Sequence, residues 1–167
     1  VDASNKLSWL IGPLAERFPQ AKFVHLIRDG RKVASSFYHK LGDEIYDDRS
    51  VSILKRYLAA PDHHRCPPPE KKYWWNLPRP AHPAAAQFEG YDQFQRICFH
   101  WAEVNRVILR DLERVPADQQ MRIRLEDLVH GRNHARAFLQ FLGLGYSDYH
   151  FALLERPHNV NIPQNFP

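Results

Sequence analysis

The sequence has little cysteine and no long apolar run. Only Cys66 and Cys98 occur, which excludes a disulfide-stabilised scaffold and a zinc site built on cysteine pairs. We expect plain thiols in a reducing cytosol; a single bridge between the two is the alternative. No stretch approaches the roughly 20 apolar residues that cross a bilayer, and residues 1–5 do not open a signal peptide. These absences predict a cytoplasmic protein without a membrane span.

What remains is an ordinary globular composition with a local excess of positive charge. The chain has 167 residues, of which 44% are hydrophobic and 25% charged, enough for the core of a single domain over residues 1–167. Residues 1–42 hold seven Lys or Arg and three Asp or Glu, so their excess equals the +4 net charge of the whole chain. Such concentration favours a local anion site over a nucleic-acid-coating surface.

The first quarter of the chain follows the order helix, strand, turn, helix. Apolar residues recur at helical spacing over 7–18, where Pro13 predicts a kink or a later start. The run KFVHLI at 22–27 predicts a buried strand. Residues 28–30 then form a turn, and residues 31–41 a helix. This order is typical of a parallel α/β sheet.

The rest of the chain predicts a second strand among further helices. We expect a helix over 43–60, a proline-rich loop excursion over 61–90, a long helix over 91–115, a strand over 121–125, a helix over 126–142 and an extended tail over 156–167. Because a parallel sheet of two strands cannot bury both of its faces, we also expect this chain to be an incomplete part of a larger domain.

The turn after the first predicted strand carries the candidate site. The strand delivers Arg28 to the carboxyl edge of a sheet, where open α/β folds bind ligands. Gly30 permits a sharp turn, and the next helix directs its N-terminal N–H groups toward the same place. Arginine supplies a planar charged fork for phosphate oxygens, and the hydroxyl of Ser35 or Ser36 can donate to the same ligand. The alternative is a plain cap and turn, with Arg28 paired to a carboxylate.

This stretch resembles the second nucleotide-binding motif of sulfotransferases that use 3′-phosphoadenosine 5′-phosphosulfate (PAPS). An apolar strand is followed by Arg-Asp-Gly-Arg at 28–31 and by Val-Ala-Ser-Ser at 33–36, with aromatic residues after it. The lead-in Phe-Pro-Gln-Ala-Lys at 18–22 also matches the family. Leu-Glu-Asp-Leu at 125–128 stands where family members carry Tyr-Glu-Asp-Leu at the end of a later strand.

The resemblance implies that Arg28 and Ser36 bind the 3′-phosphate of the nucleotide, with Arg31 and Lys32 as helpers. It implies a P-loop-like three-layer fold, present in part, in which helices flank a parallel sheet. The donor would be PAPS, and the acceptor a hydroxyl or amine on a small molecule or glycan. No nucleic-acid partner is expected, since no recognition motif supports a basic nucleic-acid-binding module.

Three departures from the family pattern bear on activity. The Lys-Ser-Gly-Thr-type loop that binds the 5′-phosphosulfate has no counterpart in the sequence. Ala3 stands at the position of a family lysine, and Leu125 replaces the family's tyrosine. We therefore expect a fragment of a bacterial-type sulfotransferase that lacks this loop. The alternative is a non-catalytic, nucleotide- or anion-binding relative.

No catalytic base is identified from the sequence. In the family that base lies outside the matched region or near its start, and Asp2 and His39 are the local candidates. His130 and His134 are four residues apart, but a metal site needs a third ligand, so no metal is expected. His25 alternates within the first strand and is expected to be a core histidine.

Overall fold

The computed structural model describes residues 5–42, 44–60 and 76–156. These residues fall into two compact units, the first formed by Val1–Pro19 and Asp29–Arg114 and the second by Gln20–Arg28 and Val115–Pro167. The single domain over residues 1–167 stays a prediction. Several expectations lie outside the described residues: those for Asp2, Ala3, Cys66, the first half of the proline-rich loop and most of the tail.

The described part of the first unit is helical. It contains a 3₁₀ turn at Asn5–Trp9 and the helices α1 (Ile11–Arg17), α2 (Gly30–Leu41), α3 (Asp48–Ala59), α4 (Ala85–Phe88) and α5 (Gln93–Leu112). Helix α2 packs along α5. The core of this unit consists of Ala34, Ile45, Tyr46, Val51, Leu54, Phe88 and Ile97.

Local sequence explains where two of these helices begin. Pro13 is the third residue of α1, within the first turn, where an N–H has no partner inside the helix. The later start expected from Pro13 is thus confirmed. Helix α5 begins with a capping box: Asp92 accepts the N–H of Gln95 at 2.8 Å, and the Gln95 side chain accepts the N–H of Asp92 at 2.9 Å.

The second unit is built on two parallel strands. Strand β1 (Phe23–Ile27) pairs with β2 (Gln120–Arg124), with Phe23 opposite Gln120 and Ile27 opposite Arg124. A 3₁₀ turn at Ala117–Gln119 leads into β2, and α6 (Leu125–His130), α7 (Arg132–Phe141) and α8 (Asp148–Glu155) follow it. The core of this unit consists of Ile123, Leu128, Ala135 and Phe151, with Val24, Phe138, Tyr146 and Leu154 packed against it.

One side chain of α7, Arg132, contacts two side chains of α8. The Nη1 of Arg132 donates to the Oδ1 of Asp148 at 2.6 Å, and the Arg132 guanidinium carbon lies 4.8 Å from the centroid of the Phe151 ring. The Phe151 ring is itself part of the buried core. An ion pair and a cation–π contact therefore dock the last described helix.

The mixed α/β character and the parallel pairing confirm the coarse fold expected from the sequence.

The helix expected over 43–60 begins only at Asp48, because the preceding turn contains Tyr46 with φ 58°. One helical turn, α4, falls inside the loop expected over 61–90. Helix α8 was not expected. Within the described ranges, no helix is both long and apolar enough to cross a membrane.

The helix expected over 126–142 is divided at Gly131, which separates α6 from α7. A Cβ at this glycine would lie 2.8 Å from the carbonyl oxygen of Asp127 and 2.5 Å from the Nδ1 of His134. The chain therefore changes direction at Gly131, where the neighbouring atoms leave no space for a side chain.

A polar pair is buried in the core of the first unit. The Oη of Tyr46 lies 2.9 Å from the Nδ1 of His100 and accepts the backbone N–H of Asn76 at 2.6 Å. Tyr46 is 0% exposed and His100 is 7% exposed. Burial raises the pKa of Tyr46 and lowers the pKa of His100 to about 4, since the charged imidazolium would lose its water there.

Lowering the pH should destabilise the protein through His100. The unfolded chain protonates this ring near pH 6.5 and the folded protein only near pH 4, so the unfolded state binds the extra proton between these values. The contribution of neutral His100 to the free energy of unfolding is complete above pH 6.5. It falls by about 3 kcal/mol as the pH approaches 4.

Denaturant unfolding of the wild type and of His100→Gln at several pH values measures this effect. The stability difference between the two proteins should decrease by about 3 kcal/mol from pH 7 to pH 4. The variant serves as the control for every other titrating group. A difference that does not change with pH would contradict the assignment.

Candidate functional site

Asp29 caps the N-terminus of α2 and forms an ion pair with Arg31. Its Oδ1 accepts the backbone N–H of Arg31 at 2.9 Å, and the guanidinium donates to Oδ1 at 3.1 Å and to Oδ2 at 2.7 Å. These hydrogen bonds lower the pKa of the Asp29 carboxyl well below its ordinary value and raise that of Arg31. The charge of Arg31 is therefore already balanced by a neighbouring carboxylate.

The start of α2 also touches an aromatic ring. A Cβ at Gly30 would lie 2.9 Å from two atoms of the Trp101 indole, which projects from α5. The φ of Gly30 is not positive, so the sharp turn expected from its conformational freedom is not what requires glycine. Glycine is needed because the indole packs directly against the backbone of the first residue of α2.

One face of α2 is polar and exposed. Lys32 and Ser36 are four residues apart, and their side chains therefore share a face of the helix. Both are exposed, as is Ser35, whereas Ala34 is fully buried. The predicted Ser36 hydroxyl is thus accessible to a ligand, and Lys32 is a cation on the same side of the helix.

Arg28 follows the last residue of β1. It is exposed, and its guanidinium forms no ion pair with any described residue. The alternative of an Arg28–carboxylate pair therefore finds no partner in the described ranges. Arg28 belongs to the second unit, whereas Arg31 and Ser36 belong to the first. In the sequence Arg28 directly precedes Asp29, the cap of α2.

A second arginine, which was not predicted from the sequence as a site residue, lies at the end of a strand. Arg124 is the last residue of β2 and the register partner of Ile27. Its side chain is 60% exposed, and its Nε lies 3.8 Å from the Oε2 of Glu126. The alternation of apolar and basic residues in MRIR was visible in the sequence. The parallel register that brings Arg124 beside the end of β1 was not.

The histidines that the sequence offered as candidates lie in different environments. His25 is buried, as expected of a core residue. His130 ends α6 and His134 lies in α7, so they do not share one helix. His39 is exposed and its ring stacks edge-on against Tyr38 at 5.6 Å. No group of three or more His, Cys, Asp or Glu in the described residues could hold a metal ion.

A pocket of about 440 Å³ in the first unit is lined by His82, Pro83, Ala84, Gln87 and Arg106. Behind it the carboxylate of Glu103 lies 3.3 Å from the Nε2 of His82 and pairs with Arg106 through two hydrogen bonds. The Nδ1 of His82 accepts the N–H of Ala84 at 3.1 Å. Because both ring nitrogens are engaged, His82 presents no basic nitrogen to the pocket.

Comparisons with known proteins add no relative. No protein-family model, no curated protein and no solved structure matches this chain.

Replacing Gly30 with alanine should destabilise the protein by about 1–3 kcal/mol, the usual cost of overpacking. The added methyl group would collide with the Trp101 indole and displace α2 from α5. Gly12→Ala is the matched control, since a Cβ at this glycine near the start of α1 meets nothing within 4 Å. It should leave stability unchanged or raise it by up to about 1 kcal/mol.

Denaturant unfolding of both variants measures the two effects. Equal stability of Gly30→Ala and the wild type would show that the contact with Trp101 does not constrain residue 30.

Proposed function

We propose that this chain carries the 3′-phosphate-binding part of a sulfotransferase that uses PAPS as sulfuryl donor. The observation that carries the proposal is the position of Arg28. It is exposed, forms no ion pair with a described residue, and follows the carboxyl end of a parallel strand. Open α/β sheets bind ligands outside this end of their strands. The resemblance of residues 23–40 to the family motif supplies the identity of the ligand.

Each residue of the proposed site has a separate role. The planar guanidinium of Arg28 would hold two oxygens of the 3′-phosphate. The resemblance assigns the hydroxyl of Ser36 to the same phosphate, and the N-terminal dipole of a helix such as α2 favours an anion. Arg31 contributes less, because Asp29 already neutralises it. Lys32 shares the face of Ser36 and is the stronger candidate for a helper.

In the reaction proposed, the acceptor hydroxyl or amine attacks sulfur in line with the leaving oxygen. A new bond to sulfur forms, the bond between sulfur and the 5′-phosphate oxygen breaks, and 3′-phosphoadenosine 5′-phosphate (PAP) departs. Residues of this chain would contribute by fixing the nucleotide and by balancing its charge. The acceptor also loses a proton to a base.

A second candidate function is non-catalytic binding of a nucleotide or another anion. The absence of a Lys-Ser-Gly sequence favours it, because the residues present can hold a 3′-phosphate but offer no loop for the 5′-phosphosulfate. Both candidates need Arg28. They differ only in whether sulfuryl transfer follows binding.

PAP should bind more tightly than AMP, which lacks the 3′-phosphate. Hydrogen bonds to charged groups contribute about 1.5–3 kcal/mol, so the difference in affinity should be roughly 10- to 150-fold. Calorimetric titration of the purified chain with each nucleotide measures it. Equal affinities would refute the assignment.

Arg28→Ala should abolish this preference, whereas Arg31→Ala should weaken binding by less. Arg28→Lys should restore binding only in part, because lysine supplies the charge without the planar fork. The melting temperature should change little in all three variants, since Arg28 is exposed. A fall in melting temperature of Arg28→Ala without any effect on nucleotide binding would show a structural role instead.

The 167-residue chain should not transfer sulfate on its own. Nothing in its sequence resembles the loop that holds the 5′-phosphosulfate, so the sulfuryl group would not be positioned for attack. Incubation with labelled PAPS and a phenol acceptor tests this expectation. Robust formation of labelled product would contradict it and exclude the non-catalytic alternative.

A further inference from the structure

The parallel sheet of the second unit brings two arginines to the same edge. Ile27 of β1 lies opposite Arg124 of β2, and both strands run in the same direction. Neighbouring strands are about 4.8 Å apart, so Arg124 and Arg28, the residue after Ile27, begin close to each other. Arg124 shares the sheet face of Ile27, and alternation along an extended chain would place Arg28 on the other face. The two side chains could then reach an anion outside the strand ends from opposite faces. The carboxyl edge therefore carries one arginine that ends β2 and one that directly follows β1.

Neither guanidinium group is fully engaged in ion pairs or hydrogen bonds with described residues of the protein. Arg28 has no ion-pair partner in the described ranges. Arg124 is 60% exposed, and the 3.8 Å between its Nε and the Oε2 of Glu126 exceeds a hydrogen bond. Two positive charges on neighbouring chain segments repel each other. An anion held between them would remove this repulsion.

We infer that Arg124 is a second anion-binding residue, which together with Arg28 clamps one phosphate group. This inference rests on the proposed function and extends it to the charge of the ligand. A phosphate monoester carries close to two negative charges at neutral pH, and a single guanidinium balances one of them. An arginine at the end of β2 and another directly after β1 match the charge of the dianion, and their forks would approach its oxygens from different sides.

The competing explanation is that Arg124 serves only Glu126 and the start of α6. Under that explanation, Glu126→Gln and Arg124→Ala should have the same effect, confined to stability. Under the clamp, Arg124→Ala should lower affinity for the phosphate, and Glu126→Gln should leave affinity unchanged or raise it. Removing the carboxylate frees the guanidinium from its nearest acidic neighbour.

Calorimetric titration with PAP, AMP and inorganic pyrophosphate tests the clamp. The proteins are the wild type, Arg124→Ala, Arg28→Ala, the double variant, Glu126→Gln and the control Arg122→Ala. Arg122 lies on the same strand and is also exposed, but it is two residues, about 7 Å, further from the edge. Melting temperatures of all variants identify any that are misfolded.

We expect Arg124→Ala to weaken PAP binding at least tenfold and Arg122→Ala to change it less than twofold. The double variant should lose less than the sum of the two single effects, since both arginines hold one group. An unchanged PAP affinity in Arg124→Ala, with the preference for PAP over AMP intact in the wild type, overturns the clamp and leaves the proposed function standing.

The converse result separates the two proposals. If the wild type does not prefer PAP over AMP but binds pyrophosphate through Arg124, the proposed function fails and the anion clamp remains. If it binds none of the three compounds, both are overturned. Equal losses in Arg122→Ala and Arg124→Ala would show only a diffuse positive surface, and would also overturn the clamp.

Discussion

Parallel hydrogen bonding between β1 and β2 joins two segments that are remote in the sequence, and the second unit depends on it. The register fixes Ile27 beside Arg124. It also aligns Val24 with Met121, so that one face of the pair contributes Val24 and Ile123 to the core beneath α6, α7 and α8. A shift of one residue would turn these side chains to the opposite face. The positions of the arginines at the carboxyl edge therefore follow from the same alignment that builds the core.

Helices and strands that are marked by a pattern within their own residues could be predicted from the sequence. The run FVHLI, the helix after it and the long α5 have clear patterns and clear ends, and the structure places them within two or three residues of the expected bounds. The turn around Tyr46 could not be predicted. Its positive φ accompanies a buried hydroxyl that bonds His100 and Asn76, which are 54 and 30 residues away.

Two further differences also arise from contacts that the sequence does not display. The break at Gly131 depends on the room left beside the Asp127 carbonyl. The sequence of α8, DYHFALLE, has adjacent apolar residues rather than a clear helical stripe. Its place depends on Arg132, which reaches Asp148 and Phe151 from α7. Secondary structure here is decided by tertiary packing rather than by intrinsic propensity.

The residue types of the candidate site could be predicted from the sequence, but which arginine pairs with Asp29 could not. The sequence Arg-Asp-Gly-Arg offers Asp29 two cationic neighbours, and nothing in the order of residues decides between them. In the structure Arg31 takes both carboxylate oxygens, because residue i+2 of a capping aspartate lies within the first helical turn. Arg28 is thereby left available to solvent.

The contact between Gly30 and Trp101 also limits how the sequence can change over time. Any larger residue at position 30 needs the indole to move or to be replaced by a smaller ring. Two positions that are 71 residues apart should therefore drift together in related chains, with bulk at one matched by loss of bulk at the other. The size of the aromatic residue at position 101 of α5 therefore limits which residues can occupy position 30 at the start of α2.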